Sequence, residues 1–151
     1  MLVAFEAVAP RSRSHPAGPL RVDYEQRLSR YAAVLSRAHA SEAALLEKLS
    51  VEGRTPPRLI LLDSRGRMLS SEELAGWIGR ERDAGTQQLV FAVGPADGWS
   101  PAARQRADLL LSFGPMTFPH ELARVMLAEQ LYRAFTILAG HPYHTGHASR
   151  G

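Results

Sequence analysis

The sequence predicts an α/β fold in which a mostly parallel sheet is flanked by helices. Three short apolar runs, at residues 58–63, 88–93 and 108–113, are typical of strands buried on both faces of a parallel sheet. Segments with helical start signals lie between these runs. Strands that alternate with helices in this way indicate right-handed βαβ crossovers, and therefore a parallel sheet covered by helices.

The amino-terminal third predicts four elements before the first buried strand. Residues 2–8 read as a strand, and the prolines and glycine of residues 10–19 predict a loop. A weaker strand is predicted at residues 33–37, and residues 41–49 predict a short helix capped by Ser41. Between the loop and the weak strand, helical spacing of apolar residues predicts an amphipathic helix carrying Val22, Tyr24, Leu28, Tyr31 and Leu35.

The two crossover helices have recognisable beginnings. Residues 70–80 start with a serine followed by glutamates, the signal of a capped helix. Residues 100–107 start with Ser100 as the cap and Pro101 at the first helical position, where a missing amide hydrogen costs nothing.

The last and longest helix begins near Pro119 and is apolar around nearly its whole circumference. A helix of this kind is buried on all sides. In a chain of 151 residues one face can pack on the sheet, and a second subunit is expected to cover another, so the sequence predicts a homodimer. The apolar positions are Leu122, Val125, Met126, Leu127, Leu131, Tyr132, Phe135, Ile137 and Leu138.

Composition narrows the class of protein. A length of 151 residues predicts a single domain, residues 1–151. The absence of cysteine excludes a disulfide framework, a cysteine-based zinc site and a thiol nucleophile. No apolar run approaches the roughly 20 residues that span a bilayer, and the strand-like beginning is unlike a signal peptide. We therefore expect a cytoplasmic protein without a membrane span, and we expect no metal, with the histidines of the tail solvated.

Three strand-end loops form the expected ligand site. In open parallel sheets, ligands bind outside the carboxyl ends of the strands. The loops at residues 63–66, 94–98 and 114–118 all contain glycine, which lets a backbone approach a ligand closely. The fingerprints of a Rossmann dinucleotide site and of a P-loop are missing, so the ligand is expected to belong to another class.

The last helix also carries charged residues. Glu129 and Arg133 are spaced i, i+4, which suits a supportive surface pair or, in an interface, a pair with a function. Arg124 lies near the start of the helix, where an anion is favoured, and is a candidate for phosphate contact.

Two segments are highly specific for one protein family: MTFPH at residues 116–120 and EQLYRA at residues 129–134. With LDSRG at residues 62–66 and HPYH at residues 141–144, they resemble the SPOUT-class methyltransferases, specifically the ribosomal RNA large subunit methyltransferase H family. The resemblance covers most of residues 58–147.

The resemblance implies a carboxy-terminal trefoil knot, a homodimer and S-adenosyl-L-methionine as the methyl donor. The implied reaction is methylation of N3 of a pseudouridine in 23S ribosomal RNA, with the assembled ribosome as partner. The implied cofactor-binding residues belong to the same three strand-end loops: Leu62, Gly94, Phe113, Gly114, Pro115, Met116, Thr117 and Phe118.

Loss of the N3 proton calls for a base or for a group that stabilises the developing anion. The arginines are expected to contact RNA or a carboxylate, and the tail residues to lie near the target base, where they would complete the partner subunit's site. The catalytic candidates are His120, Arg124, Glu129, Arg133, Tyr143 and His144.

The sequence departs from the family at Ala9-Pro10, where glycine and lysine are usual, and at Pro95, where a second small residue is usual. Two alternatives stay open at this point. One is a knotted methyltransferase that acts on transfer RNA, at a ribose hydroxyl. The other is a ribosome-binding or assembly protein that keeps the fold without catalysis.

Overall fold

A computed structural model describes residues 1–9, 15–50, 55–95 and 97–144 of the chain. The strands are β1 (Leu2–Val8), β2 (Ala33–His39), β3 (Arg58–Met68), β4 (Gln88–Val93) and β5 (Leu109–Ser112). The helices are α1 (Gly18–Leu28), α2 (Glu42–Ser50), α3 (Ser71–Asp83), α4 (Pro101–Arg106) and α5 (His120–Ala139), followed by a 3-10 turn at Pro142–His144.

The strands form one sheet in the order β2-β1-β4-β3-β5, and every pairing in it is parallel. The predicted parallel α/β architecture is therefore confirmed. Because β4, β3 and β5 are neighbours, the loops that follow them meet at one edge of the sheet, which is where a ligand site is expected.

Apolar side chains cover both faces of the sheet. On one face the core joins the sheet to α1, α3 and α5, with Phe5, Phe91 and Leu131 among its buried members. On the other face α2 and α4 pack through a smaller core around Leu61 and Trp99. Burial on both faces explains why the central strands read as continuous apolar runs.

Predicted helix starts are confirmed where a serine caps them. Ser70 Oγ accepts from Glu73 N at 3.0 Å, and Glu73 Oε1 accepts from Ser70 N at 2.9 Å, which completes a capping box. Ser100 Oγ accepts from Ala103 N at 3.1 Å, with Pro101 at the first helical position. Ser41 Oγ accepts from Ala44 N at 3.1 Å.

The predicted bounds of the first helix were wrong at both ends. The helix starts at Gly18, inside the predicted loop, because Pro19 is tolerated in a first turn. It ends at Leu28, so Tyr31 and Leu35 do not extend its apolar stripe. Leu35 instead pairs with Ala4 of β1, because strand pairing takes over from residue 33 onward and confirms the weaker strand.

β3 is longer than the predicted run and contains an irregularity. Leu62 and Arg67 both lie opposite Leu111 of β5, so the residues between them loop out of the ladder. Gly66 in this loop passes so close to β5 that a Cβ there would lie 2.5 Å from the carbonyl oxygen of Leu110. The trefoil knot itself stays a prediction.

Much of the apolar circumference of α5 is covered within this one chain. Leu127, Leu131 and Phe135 are buried in the core shared with α1, α3 and the sheet. Leu122 is still 47% exposed, and the predicted homodimer stays a prediction. Neither α5 nor any other helix in the described ranges is long and apolar enough to cross a membrane.

Candidate functional site

A cavity of about 760 Å³ opens at the carboxyl ends of β3, β4 and β5. Small-molecule sites commonly enclose about 300–1,000 Å³. All three predicted loops contribute to its lining, together with the start of α5. The ligand site predicted from strand order is therefore a real concavity in the folded chain.

The structure brings nearly all of the predicted cofactor-binding residues to this cavity. Pro115 lies in the same loop but is exposed and outside the lining. The predicted residues that do line the cavity are Leu62, Gly94, Phe113, Gly114, Met116, Thr117 and Phe118.

Trp99 organises the wall between the first two loops and was missed by the sequence reasoning. Its side chain lines the cavity, and the residue is only 6% exposed. The indole Nε1–H donates to the carbonyl oxygen of Leu62 at 3.0 Å. Its ring lies so close to Gly94 that a Cβ there would be 2.5 Å from Trp99 Cε2. Only glycine fits at position 94 while the indole keeps this place.

Asp63 lies in the first predicted loop and lines the cavity, although it was not named among the binding residues. Its side chain is 7% exposed, and Oδ1 accepts from the backbone N–H of Arg65 at 2.8 Å. Arg104 Nε of α4 lies 3.1 Å from Oδ2. That N–H has no aligned hydrogen-bond acceptor in the described part of the chain, so the contact is an ion pair and not a directed bond. The signal in the sequence was a carboxylate placed directly after a buried strand.

The third loop is tied to the first by Ser112. Its Oγ lies 3.1 Å from the carbonyl oxygen of Ser64 and accepts from Gly114 N at 2.9 Å. Gly114 has a φ of 121°, a conformation that side chains other than hydrogen rarely adopt. Met116 follows at the mouth of the cavity and is 73% exposed.

His120 is the one catalytic candidate that lines the cavity. Burial lowers the pKa of its imidazole below the ordinary 6.5, and the nearby Arg124 cation lowers it further. The ring is therefore mainly neutral at pH 7. The backbone of Val93 acts on the pKa in the opposite direction, but the buried Nε2 atom has no well-aligned hydrogen-bond partner among the residues that the structure describes. A buried nitrogen without a partner is a natural contact for a bound molecule.

Arg124 lies one turn further along α5, outside the cavity lining. Its Nη1 is 3.6 Å from Glu121 Oε1. Burial lowers the pKa of Arg124, and the charge of Arg21 on α1 acts in the same direction. Arg21 is itself paired with Glu25 at 2.8 Å. Each of the two helices, α1 and α5, therefore contributes one acidic and one basic side chain to this charged group.

The remaining candidates cluster at the other end of α5. Arg133 Nη2 lies 3.1 Å from Glu129 Oε2, and the Tyr143 hydroxyl donates to the same oxygen at 3.2 Å. The Tyr143 ring packs edge-on against Tyr132, with centroids 4.6 Å apart. Burial raises the pKa of Tyr143 well above its ordinary range, and the Glu129 carboxylate raises it further. Tyr143 is thus a hydrogen-bond donor and not a base at neutral pH.

His144 lies in the 3-10 turn next to this cluster. Its Nδ1 is 2.7 Å from the carbonyl oxygen of His141. The structure describes no group of three or more histidine, cysteine or acidic side chains placed to hold a metal ion, within its ranges up to residue 144. His147 lies outside those ranges.

One chain does not bring all six catalytic candidates together. His120 and Arg133 are 13 residues apart on the same helix, which at about 1.5 Å per residue separates their backbones by about 20 Å. His120 and Arg124 form a group near the cavity. Glu129, Arg133, Tyr143 and His144 form another at the far end of α5.

The chain is similar to known proteins over most of its length. Residues 11–144 match a family described as predicted SPOUT methyltransferase. The ribosomal RNA large subunit methyltransferase H of Koribacter versatilis is 54% identical over 125 residues, which cover 83% of this chain and 86% of that relative. The protein of the same name from Brucella ovis is 60% identical over 86 residues, which cover 57% of this chain and about half (51%) of that relative.

Two solved structures are distant matches. The SpoU methyltransferase AviRb from Streptomyces viridochromogenes, in complex with the cofactor AdoMet, is 14% identical with a TM-score of 0.46 and covers 88% of this chain and 57% of that one. A structure on 2-OH methylation of C/U34 on tRNA is 17% identical with a TM-score of 0.47 and covers 93% of this chain and 98% of that one.

Proposed function

The chain belongs to the SPOUT methyltransferase family, and on this premise we propose that it is an S-adenosylmethionine-dependent methyltransferase of ribosomal RNA. The observation that carries the proposal is the cavity at the ends of β3, β4 and β5, lined by residues from all three predicted cofactor loops. The name of the relative from Koribacter versatilis, aligned over most of both chains, supports ribosomal RNA as the substrate class.

For the target atom we propose N3 of a pseudouridine in 23S ribosomal RNA, modified on the assembled ribosome. The resemblance of the MTFPH and EQLYRA segments to the family supports this choice. The net charge of only +3 supports it as well, because a small basic excess gives weak, salt-sensitive binding to free RNA. A composite ribosomal surface would supply the missing affinity, and such a substrate implies a cytoplasmic location.

The lining of the cavity suits the proposed cofactor. Leu62, Phe113 and Phe118 give apolar walls for an adenine ring. The glycines at positions 94 and 114 let a ligand approach the backbone closely. The Nε2 atom of His120, which has no partner, is available for a hydrogen bond with the ligand. When bound, S-adenosylmethionine supplies an electrophilic methyl group on a sulfonium.

Residues of the chain would then position the reactants and handle the proton. Leu62, Phe113 and Phe118 would hold the cofactor, its sulfonium would supply the methyl group to N3, and the N3 proton would pass to a base. Holding the reacting atoms in line accounts for much of such a rate enhancement. His120 is the candidate beside the cavity whose neutral ring can accept a proton near pH 7. Tyr143 donates a hydrogen bond, and Arg124 and Arg133 contact RNA phosphate or a carboxylate.

We propose a homodimer because the two groups of candidates lie at opposite ends of α5. A second copy can place the Glu129–Arg133–Tyr143 group of one subunit beside the His120 end of the other. Exposed apolar side chains fit such a contact, since Met68 is 71% and Leu122 is 47% exposed. Light scattering at micromolar concentration tests this: a mass of twice 16.6 kDa supports it, and a monomer overturns it.

Calorimetric titration with S-adenosylmethionine tests the cofactor assignment. We expect saturable binding with one site per chain. A non-catalytic assembly protein that has lost the cofactor site would give no binding heat at any concentration tested, and that result would remove the proposed function.

A further inference from the structure

The charge pair of the buried Asp63 and the partly exposed Arg104 has no part in the chemistry proposed above. Asp63 begins the irregular segment of β3 between Leu62 and Arg67 and lines the cavity, with a side chain only 7% exposed. Arg104 belongs to α4, the helix that follows the β4 loop in the sequence. A buried carboxylate needs a compensating cation. Arg104 Nε supplies the nearer one at 3.1 Å, and the largely exposed Arg65 places its Nε 3.8 Å from the other oxygen.

Four contacts converge on the short segment of residues 62–64. The Asp63 carboxylate closes a turn onto Arg65 N and pairs with Arg104. The preceding carbonyl, of Leu62, accepts from the Trp99 indole. The following one, of Ser64, lies in hydrogen-bond contact with Ser112 Oγ. Residues 62–64 therefore connect all three walls of the cavity.

We propose that Asp63, held by Arg104, is a positioning residue that sets the affinity of the cavity for the cofactor. The pair fixes the first loop against the segment that carries Trp99 and leads into α4. It does not touch the reacting atoms. This inference rests on the proposed function, because it assigns a role at the same cavity.

The geometry of the pair suggests how to separate the charge from the turn. In Asp63→Asn the amide oxygen can still accept from Arg65 N, so the turn is kept. The contact with Arg104 depends on charge, since its Nε–H is not aimed at the carboxylate, and the same substitution removes it. Arg104→Gln removes the other half of the pair from a side chain that is 27% exposed, and so keeps the test available if Asp63→Asn does not fold.

The experiment compares Asp63→Asn, Arg104→Gln, the double variant and a control by calorimetry with S-adenosylmethionine and with S-adenosylhomocysteine. The control is Arg58→Gln, which removes ion pairs with Glu81 and Asp108 at the start of β3. We expect each single variant to weaken both ligands by about tenfold, equivalent to about 1.4 kcal/mol. The double variant should be no weaker than the singles, because two halves of one device are not additive.

Kinetic measurements on ribosomes separate positioning from chemistry. The KM for S-adenosylmethionine should rise by about the same tenfold while kcat stays within about twofold. Thermal unfolding without cofactor shows how much stability each variant loses, and Arg58→Gln should lose stability without losing affinity. Unchanged affinity in the Asp63 and Arg104 variants, additive losses, or a loss for S-adenosylmethionine alone would each overturn the inference. Absence of cofactor binding by the unaltered protein would instead overturn the proposed function along with it.

Discussion

The indole of Trp99 occupies the space in which any side chain at Gly94 would have to lie, with Cε2 2.5 Å from the Cβ position of residue 94. The same indole donates to the carbonyl oxygen of Leu62. One side chain thus contacts both Leu62 and Gly94, which the family resemblance assigns to the cofactor site. It also explains why position 94 needs glycine even though its backbone is not in the left-handed region.

Gly94→Ala should disturb the cavity directly. The added methyl group forces the buried Trp99 ring to move, at a cost of about 1–3 kcal/mol in the free energy of unfolding. Cofactor affinity should fall as well, measured by calorimetry. Gly18→Ala is the matched control, because a Cβ at Gly18 meets nothing within 4 Å. Wild-type affinity in Gly94→Ala would contradict the geometry described for this wall.

Trp99 should report cofactor binding through its fluorescence. The chain has two tryptophans, and Trp77 lies on α3, away from the cavity lined by Trp99. In Trp77→Phe the remaining emission should change on titration with S-adenosylmethionine, because the ligand alters the surroundings of the indole. In Trp99→Phe the change should disappear. A response that follows Trp77 would place the ligand elsewhere.

Stability should depend on pH through His120. Its pKa is lowered in the folded state, so the unfolded chain binds the proton more readily than the folded one. This contribution to the free energy of unfolding is present above about pH 6.5 and declines as the pH falls below it. Urea unfolding should be followed between about pH 7.5 and about pH 5. Over this range the free energy of unfolding should decline less in His120→Gln than in the unaltered chain.

Arg124→Gln offers the opposite test of the same electrostatics. Removing this cation lifts one of the two causes that lower the pKa of His120. The imidazole pKa, followed by NMR titration, should rise. A pKa that stays unchanged would show that Arg124 does not act on His120.

Gly66 and Gly76 make a matched pair for stability. A Cβ at Gly66 would lie 2.5 Å from a backbone oxygen of β5, whereas at Gly76 the nearest atom is a flexible Arg80 nitrogen at 3.4 Å. Gly66→Ala should lose about 1–3 kcal/mol of unfolding free energy. Gly76→Ala should be neutral or gain up to about 1 kcal/mol, since alanine favours a helix interior. Equal thermal midpoints for the two variants would contradict the tight passage of residue 66 over β5.

Much of the fold could be predicted because its signals are local. Capping serines at positions 70 and 100 mark the starts of their helices, and burial on both faces makes the central strands apolar throughout. The first helix was harder, because apolar spacing continued through Tyr31 and Leu35 into a turn and a strand. Pairing with β1, a long-range contact, decides that boundary.

The site divides in the same way. Strand order and glycine content located the three loops, Asp63 among their residues. Trp99 and Arg104 were missed because their roles depend on contacts between segments distant in sequence. The apolar circumference of α5 suggested a second subunit; α1, α3 and the sheet cover part of it within one chain, and the homodimer stays a prediction. Helix geometry alone could have shown that His120 and Arg133 cannot share one site in one subunit.

Methyl transfer to ribosomes tests the central claim most directly. The protein is incubated with methyl-labelled S-adenosylmethionine and either ribosomes lacking the modification or unmodified transfer RNA, and the label is located by nuclease mapping. The proposal predicts label at N3 of one pseudouridine in 23S ribosomal RNA of the ribosomes, and none in transfer RNA. Label in transfer RNA alone, or no transfer to either substrate by a protein that binds the cofactor, would contradict it.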